Sequence, residues 1–207
     1  MYIPRRYEEK DKEKVFAFIR ENSFGILISV TDGRPAGTHI PLLLEKNAEG
    51  KDILMGHISR GNQQKSALQN GAKMLAIFTG PHAYISPRWY TQMMVPTWNY
   101  IAVHVYGILR IVEGEELRAA LTRLVDTYEH GMPSPVKVEE IPEKTFNDDM
   151  RGIVGFAIEI EEIQAAYKLS QNRDETSYHQ IVEELDKGDA AAKGVAEEMR
   201  KSTNFGQ

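Results

Sequence analysis

The sequence of 207 residues predicts a mainly β (α+β) protein, an antiparallel barrel of six to seven strands with peripheral helices. Two apolar stretches, at 73–85 and 97–112, are long enough to wrap a barrel. The second stretch is apolar on both faces, so both of its faces need to be covered. A third observation is the pair Asp32-Gly33, which lies between alternating apolar segments and is typical of a hairpin turn.

The first half of the chain combines one helical pattern with several strand patterns. The predicted elements are a surface helix at 8–21, a hairpin at 23–46, a strand at 52–59 and a short helix from Asn62 to Gly71. The first helix is indicated by Val15, Phe18 and Ile19, which share one helical face. Alternation from Phe24 to Val30 indicates the hairpin. Gly71 ends the second helix because glycine adopts the conformations found at helix C-termini.

The second half adds the long strands and two helices. The predicted elements are strands at 73–85 and 97–112, a helix at 113–128, a helix around 146–150 and a strand at 152–163. Leu117, Leu121 and Leu124 recur at helical spacing in the first of these helices.

The composition changes abruptly after Arg173, where the chain becomes charged, Ala-rich and helical in pattern. We therefore expect one domain at 1–173 and a helical tail at 174–207, packed on or extending from the same domain. Ile181, Val182 and Leu185 are the only strong apolar anchors of this tail.

Composition and charge limit the classes of function. No apolar run reaches about 18 residues, and the chain has no cysteine, which excludes membrane-spanning helices, disulfides and thiolate metal sites. The N-terminus lacks a signal-peptide core, so we expect a cytoplasmic protein. The net charge of −5, with no basic stripe and no helix-turn-helix signature, argues against direct DNA binding.

The segment 77–107 contains a long loop rich in aromatic residues, including both tryptophans, Trp89 and Trp98. Arg88 and Asn99 add a guanidinium and an amide. Aromatic walls with a few fixed polar groups suit a flat heteroaromatic ligand. A core lid that fills the mouth of the barrel is the alternative, and the residues alone leave both open.

A second polar segment, at 56–66, follows the strand at 52–59. A strand end, a glycine-containing turn and the start of a helix together favour a phosphate site. The candidate donors there are Ser59, Arg60, Asn62, Gln63, Lys65 and Ser66. The alternative is that Asn62 only caps the helix and Arg60 is solvated. A third cluster, at 168–173, places five polar side chains directly after the last strand.

Other chemistry has little support. His39, His57, His82 and His104 lie in or next to predicted strands and lack the spacing of metal ligands, so we expect no metal site. A G-x-S-x-G nucleophile motif is absent, and no catalytic residue is predicted.

These segments together resemble the PaiB-like family of FMN-binding negative transcriptional regulators of bacteria. The resemblance runs in order over about residues 1–173 and is carried by MYIPR at 1–5, HIPLLL at 39–44, GPHAYISP at 80–87, VPTWNY at 95–100 and KLSQNR at 168–173. It implies a split β-barrel of the FMN-binding type and a homodimer with FMN at the subunit interface.

The resemblance also implies site residues and a role. FMN phosphate would be held by Ser59, Arg60, Asn62, Gln63 and Lys65, and the ring would lie near His57, Phe78, Thr79, Arg88, Trp89, Trp98 and Asn99, with Lys168 and Asn172 close by. The implied role is repression of sporulation and extracellular-protease genes, acting indirectly or through a flavin- or effector-dependent state. An FMN-dependent oxidoreductase or a haem-binding barrel is the alternative.

Overall fold

The computed structural model describes residues 1–202, so the last five residues of the predicted tail lie outside the described part. The strands are β1 Phe24–Thr31, β2 Arg34–Pro41, β3 Leu43–Lys46, β4 Asp52–Ser59, β5 Lys73–Ile85, β6 Thr97–Val112 and β7 Ile153–Lys168. The helices are α1 Lys12–Glu21, α2 Gly114–Glu129, α3 Glu143–Arg151, α4 Glu175–Asp186 and α5 Ala190–Ser202. None of these helices is both long and apolar enough to span a bilayer.

One antiparallel sheet contains all seven strands in the order β2-β1-β5-β6-β7-β4-β3. Its end strands, β2 and β3, are not hydrogen-bonded to each other in the described residues, so the sheet is not closed. The fold class is confirmed: seven antiparallel strands with peripheral helices.

The chain divides into two compact units. The terminal unit comprises residues 1–22, 78–104 and the chain from 164 on, and the central unit comprises 23–77 and 105–163. Both units contain segments of β5, β6 and β7.

The central unit is organised by a tight hairpin and a long-range strand pair. The turn between β1 and β2 has positive φ at Asp32 (51°) and Gly33 (76°), as a two-residue hairpin turn requires. β4 pairs with β7 from Ile53↔Glu159 to Ser59↔Ile153. The core beside this pair consists of Leu43, Ile53, Met55, Val112, Leu117, Ala120 and Ala157.

The terminal unit contains α1 and the two last helices. The carboxylate of Asp11 accepts hydrogen bonds from the backbone N–H groups of Glu13 and Lys14 and so caps α1. α1 therefore begins at Lys12 and not at residue 8, because Glu8 instead forms a β-bridge with Ala166. α4 and α5 are joined by the buried Tyr178, whose hydroxyl donates to the carbonyl of Met199 at 2.6 Å.

Three more sequence expectations need correction. The segment predicted as the second arm of the hairpin divides at Leu42: β2 pairs with β1, whereas β3 pairs with β4. The helix predicted at 62–71 is a 3₁₀ turn of five residues, Gln63–Ala67, closed by i→i+3 bonds such as Lys65 N–H to Asn62 O. The tail has more apolar anchors than predicted, since Tyr178, Val195 and Met199 are also buried.

Candidate functional site

A polar turn at residues 59–67, which we call the β4 turn, is fixed to the β1–β2 hairpin by Gln64. This side chain is only 4% exposed. Its Nε2 donates to Leu27 O (3.1 Å), Ser29 Oγ (2.9 Å) and Ala36 O (3.3 Å), and its Oε1 accepts from Thr38 Oγ1 (2.5 Å). The buried amide therefore has partners for both its nitrogen and its oxygen, as a buried polar group requires.

Asn62 acts as the cap of this turn. Its Oδ1 accepts from Gln64 N–H at 2.8 Å, and its Nδ2 donates to Thr38 Oγ1 at 2.9 Å. The side chain thus has a protein partner at both ends of its amide. Because the 3₁₀ turn is short, no helix dipole supports a phosphate here, and any anion would be held by side chains.

Arg60 extends towards the end of α3. Its Nε donates to Arg151 O at 2.7 Å and its backbone N–H donates to Gly152 O at 2.8 Å. The guanidinium lines a cavity of about 350 Å³ together with Gly114 and Asn147. The cavity walls are otherwise partly apolar, including Leu117 and Met150.

The exposed donors of the β4 turn are Ser59, Gln63, Lys65 and Ser66. Within residues 1–202, the ammonium of Lys65 has no carboxylate partner, and Ser59 Oγ accepts only from Gly61 N–H, at 3.2 Å. All 30 acidic residues lie outside residues 53–112, a segment that carries five Lys and Arg. This donor set and this charge fit an exposed phosphate group.

His57 lies next to the β4 turn but faces an apolar crevice. The crevice is lined by Leu117, Leu121 and Leu124 of α2. Burial lowers the pKa of the His57 imidazole, so the folded protein holds this ring neutral at neutral pH.

The lowered pKa of His57 predicts a stability that depends on pH. The unfolded chain protonates this ring below its ordinary pKa of about 6.5, whereas the folded chain resists protonation. The stability contributed by His57 is therefore full above about pH 6.5 and is lost as the pH falls through the folded pKa. Urea unfolding between about pH 5 and pH 7 should show a smaller pH slope for His57→Gln than for wild type. The same change at exposed His130 is the control; an unchanged slope in His57→Gln contradicts the prediction.

The aromatic residues of the terminal unit line a groove of about 520 Å³. Trp98 and Tyr84 are 52% and 47% exposed, and their rings meet edge to face at 6.1 Å. The centroids of the His82 and Trp98 rings are 6.2 Å apart. Trp89 lines the same groove, and the turn between α4 and α5 forms its opposite wall. The aromatic segment therefore presents ring faces to solvent in addition to core residues such as Tyr90.

Two of the residues predicted to contact the flavin ring are buried in the core of the terminal unit. Phe78 and Asn99 are both fully buried. Asn99 Nδ2 contacts Met199 Sδ at 3.4 Å and its Oδ1 accepts from Ser170 Oγ at 3.1 Å. In this conformation neither side chain is open to a ligand, while Thr79 and Arg88 are exposed.

The predicted residues thus form two groups. Ser59, Arg60, Asn62, Gln63 and Lys65 share one turn of the central unit, next to His57. Trp89 and Trp98 share the groove of the terminal unit, and Lys168 and Asn172 lie at the end of β7 and in the turn that follows it. That both groups contact one ligand stays a prediction. In the described residues no three His, Asp or Glu side chains cluster as they would around a metal ion.

Sequence reasoning missed Gln64, since nothing in its local pattern shows that this glutamine is buried. The absence of acidic residues from 53–112 is a signal that could have indicated an anionic ligand.

Comparisons with known proteins agree with this fold. The profile of a family described as a putative FMN-binding domain matches residues 1–162. The protease synthase and sporulation protein PAI 2 of Bacillus subtilis is 42% identical over 200 residues, 96% of each chain.

Solved structures show the same fold. The FAD and heme binding protein of Mycobacterium smegmatis is 16% identical with a TM-score of 0.63, over 82% of this chain and 76% of that one. The flavocytochrome Anf3 of Azotobacter vinelandii is 17% identical with a TM-score of 0.61, over 86% of this chain and 78% of that one. The chain therefore has the fold of flavin-binding split-barrel proteins, and FMN is confirmed as the cofactor of its family.

Proposed function

The chain belongs to the family of putative FMN-binding domains, and from that premise we propose that it is an FMN-binding homodimer that acts as a negative regulator of transcription. The Bacillus subtilis relative is named for protease synthesis and sporulation, so genes of these two processes are the proposed targets. Because the net charge is −5, the proposed action is indirect or depends on a flavin or effector state, without direct reading of DNA.

The observation that carries FMN binding is the exposed donor set of the β4 turn. Ser59, Gln63 and Lys65 offer a hydroxyl, an amide and an ammonium on a turn that Gln64 holds in place. In our proposal these side chains bind the FMN phosphate, and Arg60 adds charge beside them. Asn62 fixes the backbone of the turn. The flavin supplies redox chemistry when bound, and the protein binds and orients it.

The proposed ring contacts are exposed or half-buried residues of the terminal unit. Trp89 and Trp98 provide ring faces for stacking, and Arg88 and Thr79 provide donors. Stacking of this kind excludes water from one face of a ring, which makes the environment of a flavin less polar.

The proposed dimer is supported by an apolar stripe on β1. Phe24 and Val30 are 68% and 62% exposed, and Ile26 and Ile28 between them are only half-buried. Exposed apolar residues that line up on one strand face favour coverage by another surface. A second copy of the chain is the occupant we propose.

Replacing the phosphate donors should weaken FMN binding. We expect Ser59→Ala combined with Lys65→Gln to lose about 2–4 kcal/mol of FMN binding energy, because one neutral and one charge-assisted contact are removed. Titration of the purified protein with FMN, followed by fluorescence quenching, measures the dissociation constant. Lys46→Gln, which removes a cation paired with Asp52 at 2.8 Å, is the control. An unchanged affinity in the double variant contradicts the phosphate assignment.

The regulatory role has a separate test. A reporter driven by an extracellular-protease promoter should be repressed by the wild-type protein and derepressed by the Ser59/Lys65 double variant. Repression by a variant that no longer binds FMN would show that the flavin state is not used. Rapid reduction of the bound flavin by NADH or NADPH, with turnover, would favour the oxidoreductase alternative.

A further inference from the structure

The turn that follows β7, residues 168–173, is held in one conformation by its own side chains. Ser170 has a φ of 61°, a left-handed conformation that is uncommon for a residue other than glycine. The bonds that hold the turn are Ser170 Oγ to Asn99 Oδ1 (3.1 Å), Leu169 N–H to Gln171 Oε1 (2.8 Å), Gln171 Nε2 to Tyr167 O (2.6 Å) and Arg173 N–H to Ser170 O (3.0 Å). A strained residue that its surroundings enforce often marks a functional site.

This turn presents two cations without a carboxylate. Within residues 1–202, neither Lys168 nor Arg173 forms an ion pair. Lys168 Nζ donates to the hydroxyl of Thr97, and Arg173 Nη1 lies 2.8 Å from the thioether sulfur of Met94, a weak acceptor. Burial and the charge of Arg173 both lower the pKa of Lys168.

The acidic side chain that follows Arg173 in the sequence, Asp174, is already engaged. Asp174 accepts from the backbone and hydroxyl of Ser177, and from the hydroxyl of Thr91 at 3.3 Å. Its carboxylate caps α4 and does not neutralise the cations.

Two hydrogen-bond donors, one of Arg173 itself and one of Tyr90, have no partner in the described residues. The guanidinium carbon lies 4.5 Å from the centroid of the Tyr90 ring, which shields one of its faces. Arg173 Nε and the hydroxyl of the buried Tyr90 have no hydrogen-bond partner in the described residues. Buried donors without partners are rare and call for an explanation. An oxyanion beside the guanidinium would match its charge and its fork of donors.

We propose that Lys168 and Arg173 bind the oxyanion, phosphate or carboxylate, of a small organic ligand that is distinct from FMN. FMN has one phosphate group, which the proposed function assigns to the β4 turn, so the identification of this anion as a second ligand rests on that assignment. Met94, beside Arg173, offers an apolar contact to the body of such a ligand. The site would be suited to a substrate or an effector.

The test uses calorimetric titration of FMN-saturated protein with phenyl phosphate and, separately, with benzoate. The wild type should bind at least one of them, and the probe that binds more tightly identifies the preferred oxyanion. Arg173→Gln should weaken that binding at least tenfold and leave FMN affinity unchanged, and Lys168→Gln should also weaken binding of the probe. Arg173→Lys keeps the charge without the fork of donors and should lose less affinity. The matched controls, Arg6→Gln and Lys193→Gln, each remove one exposed cation of the same unit and should bind as wild type does.

Three results would overturn the inference. They are equal probe binding by Arg173→Gln and wild type, loss of FMN affinity in Arg173→Gln, which would place the flavin phosphate here, and loss of the dimer, which would make these cations interface residues. If the wild type fails to bind FMN, the proposed function fails, while titration of the flavin-free protein still shows whether Lys168 and Arg173 bind an oxyanion.

Discussion

Replacing Gly107 by alanine is expected to destabilise the protein by more than about 3 kcal/mol. A Cβ atom added at Gly107 would lie 2.1 Å from the carbonyl oxygen of Glu159 and 2.7 Å from Cγ2 of Ile158. The carbonyl belongs to the backbone of β7, the neighbour of β6 in the sheet, so no change of rotamer relieves the overlap. The chain has to separate these strands locally. The midpoint of urea unfolding measures the loss.

Gly61→Ala is the control for this substitution. The nearest atom to an added Cβ there is Ser59 Oγ at 3.6 Å, an ordinary contact. The free energy of unfolding should then change by less than about 0.5 kcal/mol. If Gly107→Ala and Gly61→Ala have the same free energy of unfolding, β6 and β7 do not approach each other this closely at Gly107.

Gln64→Leu should be the second most costly substitution, at about 2–4 kcal/mol. The leucine fills a similar volume but leaves the carbonyls of Leu27 and Ala36 without this donor. The β4 turn also loses its attachment to the hairpin. We therefore expect FMN affinity to fall roughly tenfold, although Gln64 is placed in no contact with the ligand.

Stability and affinity separate a positioning role from a purely structural one. FMN titration at low temperature, where the Gln64→Leu chain is fully folded, isolates the effect on binding. Gln69→Leu, at an exposed glutamine whose Nε2 donates to Ser66 O, is the control for both measurements. Normal FMN affinity in folded Gln64→Leu would show that the orientation of the β4 turn does not govern binding.

The sequence predicts strands here better than helix ends. The predicted bounds of β4, β5 and β6 agree with the structure, because each strand combines regular alternation with clear turn signals at its ends. β7 continues five residues beyond the predicted 163, since its polar stretch around Glu161 and Glu162 resembles a strand end but is only an exposed face. The sequence places the start of α1 too early, because Glu8 pairs with Ala166, a distant residue, and the local sequence pattern does not show this tertiary contact.

In the candidate site too, features that depend on local pattern are predicted and features that depend on distant contacts are not. The polar residues of the β4 turn were predicted, because donors that follow a strand end form a local pattern. The burial of Asn99 and Phe78 was not, since it depends on α5 and on the turn after β7, far along the chain. The length of the helix after Asn62 was overestimated because the bonds of Gln64 to the hairpin hold the segment in a 3₁₀ turn.

The pairing of β4 with β7 also affects how the protein is made. β4 is synthesised early, but its partner follows roughly 100 residues later, an interval of about 5 to 20 s at ordinary rates of translation. During that time β3 covers one edge of β4, and the other edge of this strand, whose residues include Ile53, Leu54 and Met55, has no strand to pair with. Such an apolar edge associates readily with other chains. The yield of folded protein should therefore depend on the rate of synthesis and on chaperones that occupy this edge until β7 emerges from the ribosome.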